Sequence, residues 1–133
     1  SQQIEELENR SNDTIAQISA QIENNIALLS QSTNLKEDLC WGNYKKMCVI
    51  INQQFGLLAT KLQRKYKLAE KEIRLCILVL LGVSNSKQLA NFLYYSESGI
   101  RNFKSRVSKK IGTNSADLRK TLIKIVINDD SKD

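Results

Sequence analysis

A chain of 133 residues, 41% hydrophobic and 26% charged, suffices for one modest core or for a small domain with an extended arm. It holds five Gly, no Pro and no His, which favours helices and excludes Cys–His nucleophiles, Ser–His–Asp triads and His-containing zinc sites. The net charge of +6 hides an asymmetry: residues 1–60 carry four basic residues (Arg10, Lys36, Lys45, Lys46) against seven acidic ones, whereas residues 61–133 carry sixteen against seven, so the second half is suited to a polyanion such as nucleic acid or an anionic membrane surface.

From Ser1 to about Ser32, Ile4, Leu7, Ile15, Ile18, Ile22, Ile26 and Leu29 recur at threes and fours on a polar background. The spacing predicts one long amphipathic helix with a narrow apolar stripe. So narrow a stripe needs a partner, and Ile15, Ile18, Ile22, Ile26 and Leu29 are the candidate dimerisation residues. Ser11, Thr14 and Asn25 lie along the stripe, where they weaken a coiled coil or fix its register. A polar cluster at Gln31–Asn34 predicts a break, with Thr33 or Asn34 as N-cap and Glu37 completing a capping box. A second long helix is then expected to about Tyr66, on Leu35, Leu39, Cys40, Tyr44, Met47, Cys48, Ile51, Phe55, Leu58, Leu62 and Tyr66. Gly42 and Gly56 weaken that pattern without ending it. The two helices form either a hairpin, Ile18–Leu29 on Leu39–Phe55, or a continuous dimeric rod. Trp41 beside Tyr44 reads as a packing residue.

After Lys67 the segments shorten to Glu70–Leu81, Asn85–Leu93, Ser96–Ile111 and Ser115–Ile127, the pattern of a compact four-helix module. Gly82 and Gly112 suit positions just past helix ends, Ser84 or Asn85 and Ser96 suit N-caps, and Tyr94-Tyr95 suits a tight turn. The expected fold class is therefore all-α: long amphipathic helices over 1–66, a wingless helix-turn-helix domain over 67–128, and a disordered tail at 129–133. In the helix after the tight turn, Ile100, Phe103, Val107 and Ile111 are spaced to face inward. Between Ser98 and Ala116 there are five basic residues and no acidic one. A charge run alone describes any solvated face, but its place on the second helix of a tight pair is the place of a helix that enters the major groove. The candidate DNA-binding residues are Lys87, Ser98, Arg101, Asn102, Lys104, Ser105, Arg106, Lys109 and Lys110. Lys and Arg neutralise phosphates, and Arg and Asn can pair bidentately with guanine and adenine edges.

The stretch Leu68-Ala69-Glu70-Lys71-Glu72-Ile73, then Leu80-Leu81-Gly82-Val83-Ser84-Asn85, Gln88-Leu89-Ala90, Leu93, Ser96-Glu97-Ser98-Gly99-Ile100-Arg101, and Val107 with Lys109-Lys110-Ile111-Gly112 resembles the LuxR-type (GerE-like) helix-turn-helix. The resemblance implies a four-helix domain whose third helix reads double-stranded DNA. Arg101 matches the family's DNA-contacting Lys, Asn102 its variable neighbour, and Ser105 and Lys109 lie further along that face. Lys87 is placed for a phosphate. Ala69, Gln88, Gly99 and Phe103 depart from the family pattern, where Thr or Ser, Glu, Thr and His are usual. A LuxR-like domain behind long helices also resembles the cytoplasmic tail of Bacteroides-type membrane-linked regulators.

The expectation is a dimeric, sequence-specific transcriptional regulator. The alternatives are a helical signalling module docking RNA polymerase or another partner, and a promoter reader similar to sigma-factor region 4. No small-molecule ligand, cofactor, metal site, paired carboxylates or Gly-rich phosphate loop is legible, so no enzyme is expected. Cys40, Cys48 and Cys76 form no CxxC pair and read as reduced, structural thiols. The longest apolar run, Leu75 to Val83, is too short to span a bilayer, and no secretory signal opens the chain. A cytoplasmic bacterial protein is expected. The start at Ser1 suggests a fragment of a longer chain, with any membrane link upstream.

Overall fold

A computed structural model of the chain describes residues 2–32 and 43–128, with the side chains of the first segment described from Thr14 onward. Among these residues it is all-helical, with α1 Gln2–Ser32, α2 Tyr44–Gln54, α3 Leu58–Arg64, α4 Glu70–Leu80, α5 Ser86–Leu93, α6 Glu97–Ile111 and α7 Leu118–Ile127. The expectations for Thr33, Asn34, Leu35, Glu37, Leu39, Cys40, Trp41, Gly42 and the tail lie outside the described residues.

The centre of the core is α4. Every residue from Ile73 to Leu80 is buried, because this run offers apolar atoms on all sides and α3, α5 and α7 pack around it. Arg74 is buried with them. Its guanidinium lies 4.8 Å from the Tyr44 ring and 3.7 Å from a Glu70 carboxylate oxygen, so the desolvated charge has both an aromatic face and an anion beside it. The helix closes on Gly82, whose φ of 101° lets its N–H reach Val79 O and that of Val83 reach Leu78 O.

The long second helix expected to run to Tyr66 is two helices. Its apolar spacing does continue through Phe55, Leu58 and Leu62, all buried, but the backbone turns left-handed at Gly56 (φ 57°) and Leu57 (φ 59°). Asn52 bridges the break, donating from Nδ2 to Thr60 Oγ1 (3.0 Å) and accepting at Oδ1 from Thr60 N (3.1 Å). A Cβ on Gly56 would lie 3.0 Å from Val126 O, so the bend brings α3 close under the end of α7. There Lys61 Nζ donates to Ile125 O (3.2 Å) and Asn128 O (2.9 Å), satisfying carbonyls that a helix end leaves open.

The first helix runs as expected, but its stripe is divided. Ile22, Ile26 and Leu29 are buried within the chain, so these three expected dimerisation residues occupy the core, where α1 packs chiefly on α7. The end of α1 also borders α2, where Leu29 and Ser32 line a pocket with Met47, Ile50 and Gln54. Ile15 and Ile18 remain 47% and 41% exposed. Arg119 of α7 fixes the contact, donating through Nη1 and Nη2 to the Glu23 carboxylate (2.8 and 3.0 Å) and through Nε to Leu80 O (3.2 Å). Ser30 Oγ donates to Leu81 O (3.1 Å). The core does not divide at residue 66: Leu58 and Leu62 belong to the same buried cluster as Leu68, Ile73 and Leu122.

Candidate nucleic-acid interface

The turn between α5 and α6 is three residues long and is set by local chemistry. Asn85 caps α5, its Oδ1 accepting from Lys87 N (2.8 Å) and Gln88 N (3.3 Å). That helix ends with Tyr94 in the left-handed region (φ 61°), which lets Tyr95 N reach Ala90 O (2.9 Å). Ser96 then caps α6 by accepting at Oγ from Gly99 N (3.1 Å). A Cβ on Gly99 would stand 2.9 Å from that hydroxyl oxygen, so glycine at this position makes room for the cap. The α6 exit repeats the left-handed device at Gly112 (φ 92°), with Thr113 N on Ser108 O (2.9 Å).

One side of α6 is spent on the core: Ile100, Phe103, Val107 and Ile111 are buried. Ser108 is buried as well, its hydroxyl donating to Lys104 O (2.7 Å). On the other side Ser98, Asn102, Ser105 and Lys109, spaced four, three and four, follow one line down the helix. Arg101 stands at one edge of this line and Arg106 at the other. Ser98, Arg101, Asn102, Arg106 and Lys109 are exposed, Ser105 is half-buried, and Lys87 is exposed at the start of α5.

Two expected contact residues are differently placed. Lys104 is half-buried against the module, and desolvation holds its ammonium below the ordinary lysine range. Lys110 is ion-paired: its Nζ lies 2.8 Å from Glu72 Oε2 and 3.0 Å from Oε1, and Oε1 also accepts from Ala69 N at 2.8 Å. One carboxylate thus caps α4, where Ala69 has no side-chain acceptor, and ties α4 to α6. Sequence spacing gives no sign of this pair, because it joins residues 38 positions apart.

Beside Lys110, a cleft of about 270 Å³ separates the first turn of α4 from α6. The ring of Tyr95 lies 5.0 Å from that of Phe103, the position where the resemblance expects His. Lys71 Nζ stands 4.1 Å from the Tyr95 ring centroid, and the Arg106 guanidinium 6.0 Å from that of Phe103. Lys71 is not legible as a site residue from its own segment, since only tertiary packing brings it to Tyr95 and α6.

Among the described residues no group of three His, Cys, Asp or Glu side chains is placed to hold a metal ion. Cys48 and Cys76 are free, and burial pushes both thiols up, away from reactive thiolate. No helix among these residues is long and apolar enough to cross a membrane. Comparison with protein-family models, curated proteins and solved structures finds no match.

Proposed function

We propose that this protein is a sequence-specific DNA-binding transcriptional regulator in which α5 and α6 form a helix-turn-helix pair and α6 lies in the major groove of double-stranded DNA. The observation that carries this reading is the division of α6: its apolar side is locked in the core, while its free side presents the line Ser98, Asn102, Ser105 and Lys109 flanked by Arg101 and Arg106. A rigid helix with fixed inner anchors holds its outer side chains in one register, which base readout requires. In this reading Arg101 and Asn102 meet base edges, whereas Lys109 and Lys87 neutralise phosphates. The protein performs no catalysis; it acts by occupying its site, in the cytoplasm. The residues resembling the LuxR-type domain support the same assignment. Two copies would pair through the part of α1 that includes Ile15 and Ile18, which lie outside the core, and would set two α6 helices about one DNA turn apart.

The test is binding-site selection from random duplexes followed by titration of the selected sequence. Arg101→Ala is expected to cost about 1–3 kcal/mol of discrimination at one base pair. Lys109→Ala is expected to weaken all duplexes alike and to reduce the salt slope by about one. Failure to enrich any sequence sinks the reading, and capture of RNA polymerase without DNA binding replaces it with a docking role.

A further inference from the structure

We propose that the cleft between α4 and α6 seats one phosphate of the DNA backbone beside the major groove, and that Glu72 limits the strength of that seat by withholding Lys110. The inference rests on the duplex-binding reading above and adds to it a second point of contact, made by a different helix.

The cleft has the chemistry of a phosphodiester site. Lys71 and Arg106 approach it from opposite walls, each over an aromatic ring, at 4.1 Å from Tyr95 and 6.0 Å from Phe103. Cations held over ring faces are partly ordered before an anion arrives, which lowers the entropy cost of contact. The position also fits. Arg106 lies one helical turn beyond Asn102, so the cleft borders the central line of α6 on the side facing α4. Phosphates flank the bases that a groove-bound helix reads, and contacts to them fix its register. A duplex engaging Asn102 therefore carries its backbone toward Arg106 and Lys71.

Lys110 faces the same cleft but is neutralised. The Glu72 side chain is 13% exposed, and its carboxylate is held by Ala69 N at 2.8 Å as well as by Lys110. Because Glu72 is fixed by its capping role, it competes with the phosphate for Lys110 at every encounter. The cleft therefore offers two cations to DNA and keeps the third in reserve.

The experiment measures log K against log salt on one selected duplex for the intact protein and its variants. Lys71→Gln and Arg106→Gln are each expected to flatten the slope by about 0.9 and to weaken binding roughly eightfold at 0.1 M salt, the effect of one lost phosphate contact. Glu72→Gln keeps an acceptor for the helix cap. It is expected to steepen the slope by about 0.9 and tighten binding by a similar factor, and Glu72→Gln with Lys110→Gln to return to the unsubstituted slope. Wild-type slopes for Lys71→Gln and Arg106→Gln overturn the phosphate seat. A Glu72→Gln gain that persists in the double variant overturns the role of Lys110. If the unsubstituted protein binds no duplex at all, it is the proposed function that fails. Thermal melts followed by circular dichroism confirm that each variant is folded.

Discussion

Gly56 carries two demands at once, a left-handed backbone (φ 57°) and a distance of 3.0 Å from its missing Cβ to Val126 O. An L-residue in that region costs roughly 1–2 kcal/mol before any crowding. Gly56→Ala is therefore expected to lower stability by about 2 kcal/mol in urea titration. Gly99 is the opposite case. Its backbone is ordinary, and adding a Cβ trades a helix-propensity gain of about 1 kcal/mol against a Ser96 cap of similar worth. The sequence marks Gly56 as helix-weakening and Gly99 as a departure from the resembled pattern; only the neighbours that approach them separate a bend from a cap.

At the scale of elements, the caps were legible because they act across two or three residues: Asn85 on Lys87 and Gln88, Ser96 on Gly99. The start of α7 was less so, since Asn114 Oδ1 accepts from Asp117 N (2.9 Å) and delays the helix from Ser115 to Leu118. The break between α2 and α3 was not legible, as the three-four spacing passes through it unchanged. The attachment of α1 poses a question of magnitude. The Glu23–Arg119 pair is 49% and 35% exposed, so Glu23→Gln is expected to cost at most about 1 kcal/mol. Ile26 is 4% exposed, and Ile26→Ala is expected to cost about 2–5 kcal/mol, so denaturation of the two variants is expected to show the apolar contact dominating.

For the whole molecule, α1 is about 46 Å long at 1.5 Å per residue, and among its described side chains, Thr14 onward, those buried in the core lie in its last third. Removing residues 1–18 therefore spares Ile22, Ile26 and Leu29. The shortened protein is expected to remain folded, to give a monomeric mass by light scattering, and to bind its selected duplex more weakly than the full chain. An unchanged mass and affinity would show that α1 does not pair two copies. The same continuity of packing explains why a division at residue 66 is absent from the core: Leu58 and Leu62 close the underside of α4 that residues 67–128 alone would leave exposed.

By itself the sequence determined the all-helical class, most boundaries of the four short helices, and which side of α6 is apolar. These follow from periodicities and caps that operate within one or two helical turns. Tertiary structure alone decided which exposed cations are free. Lys104 is partly desolvated, Lys110 is bound by Glu72, and Lys71 joins Arg106 across a cleft. It also decided that Ile22, Ile26 and Leu29 of the α1 stripe serve their own chain. Such pairings depend on where separate helices are brought together, and a charge or a methyl group in one segment carries no record of the distant residue it will meet.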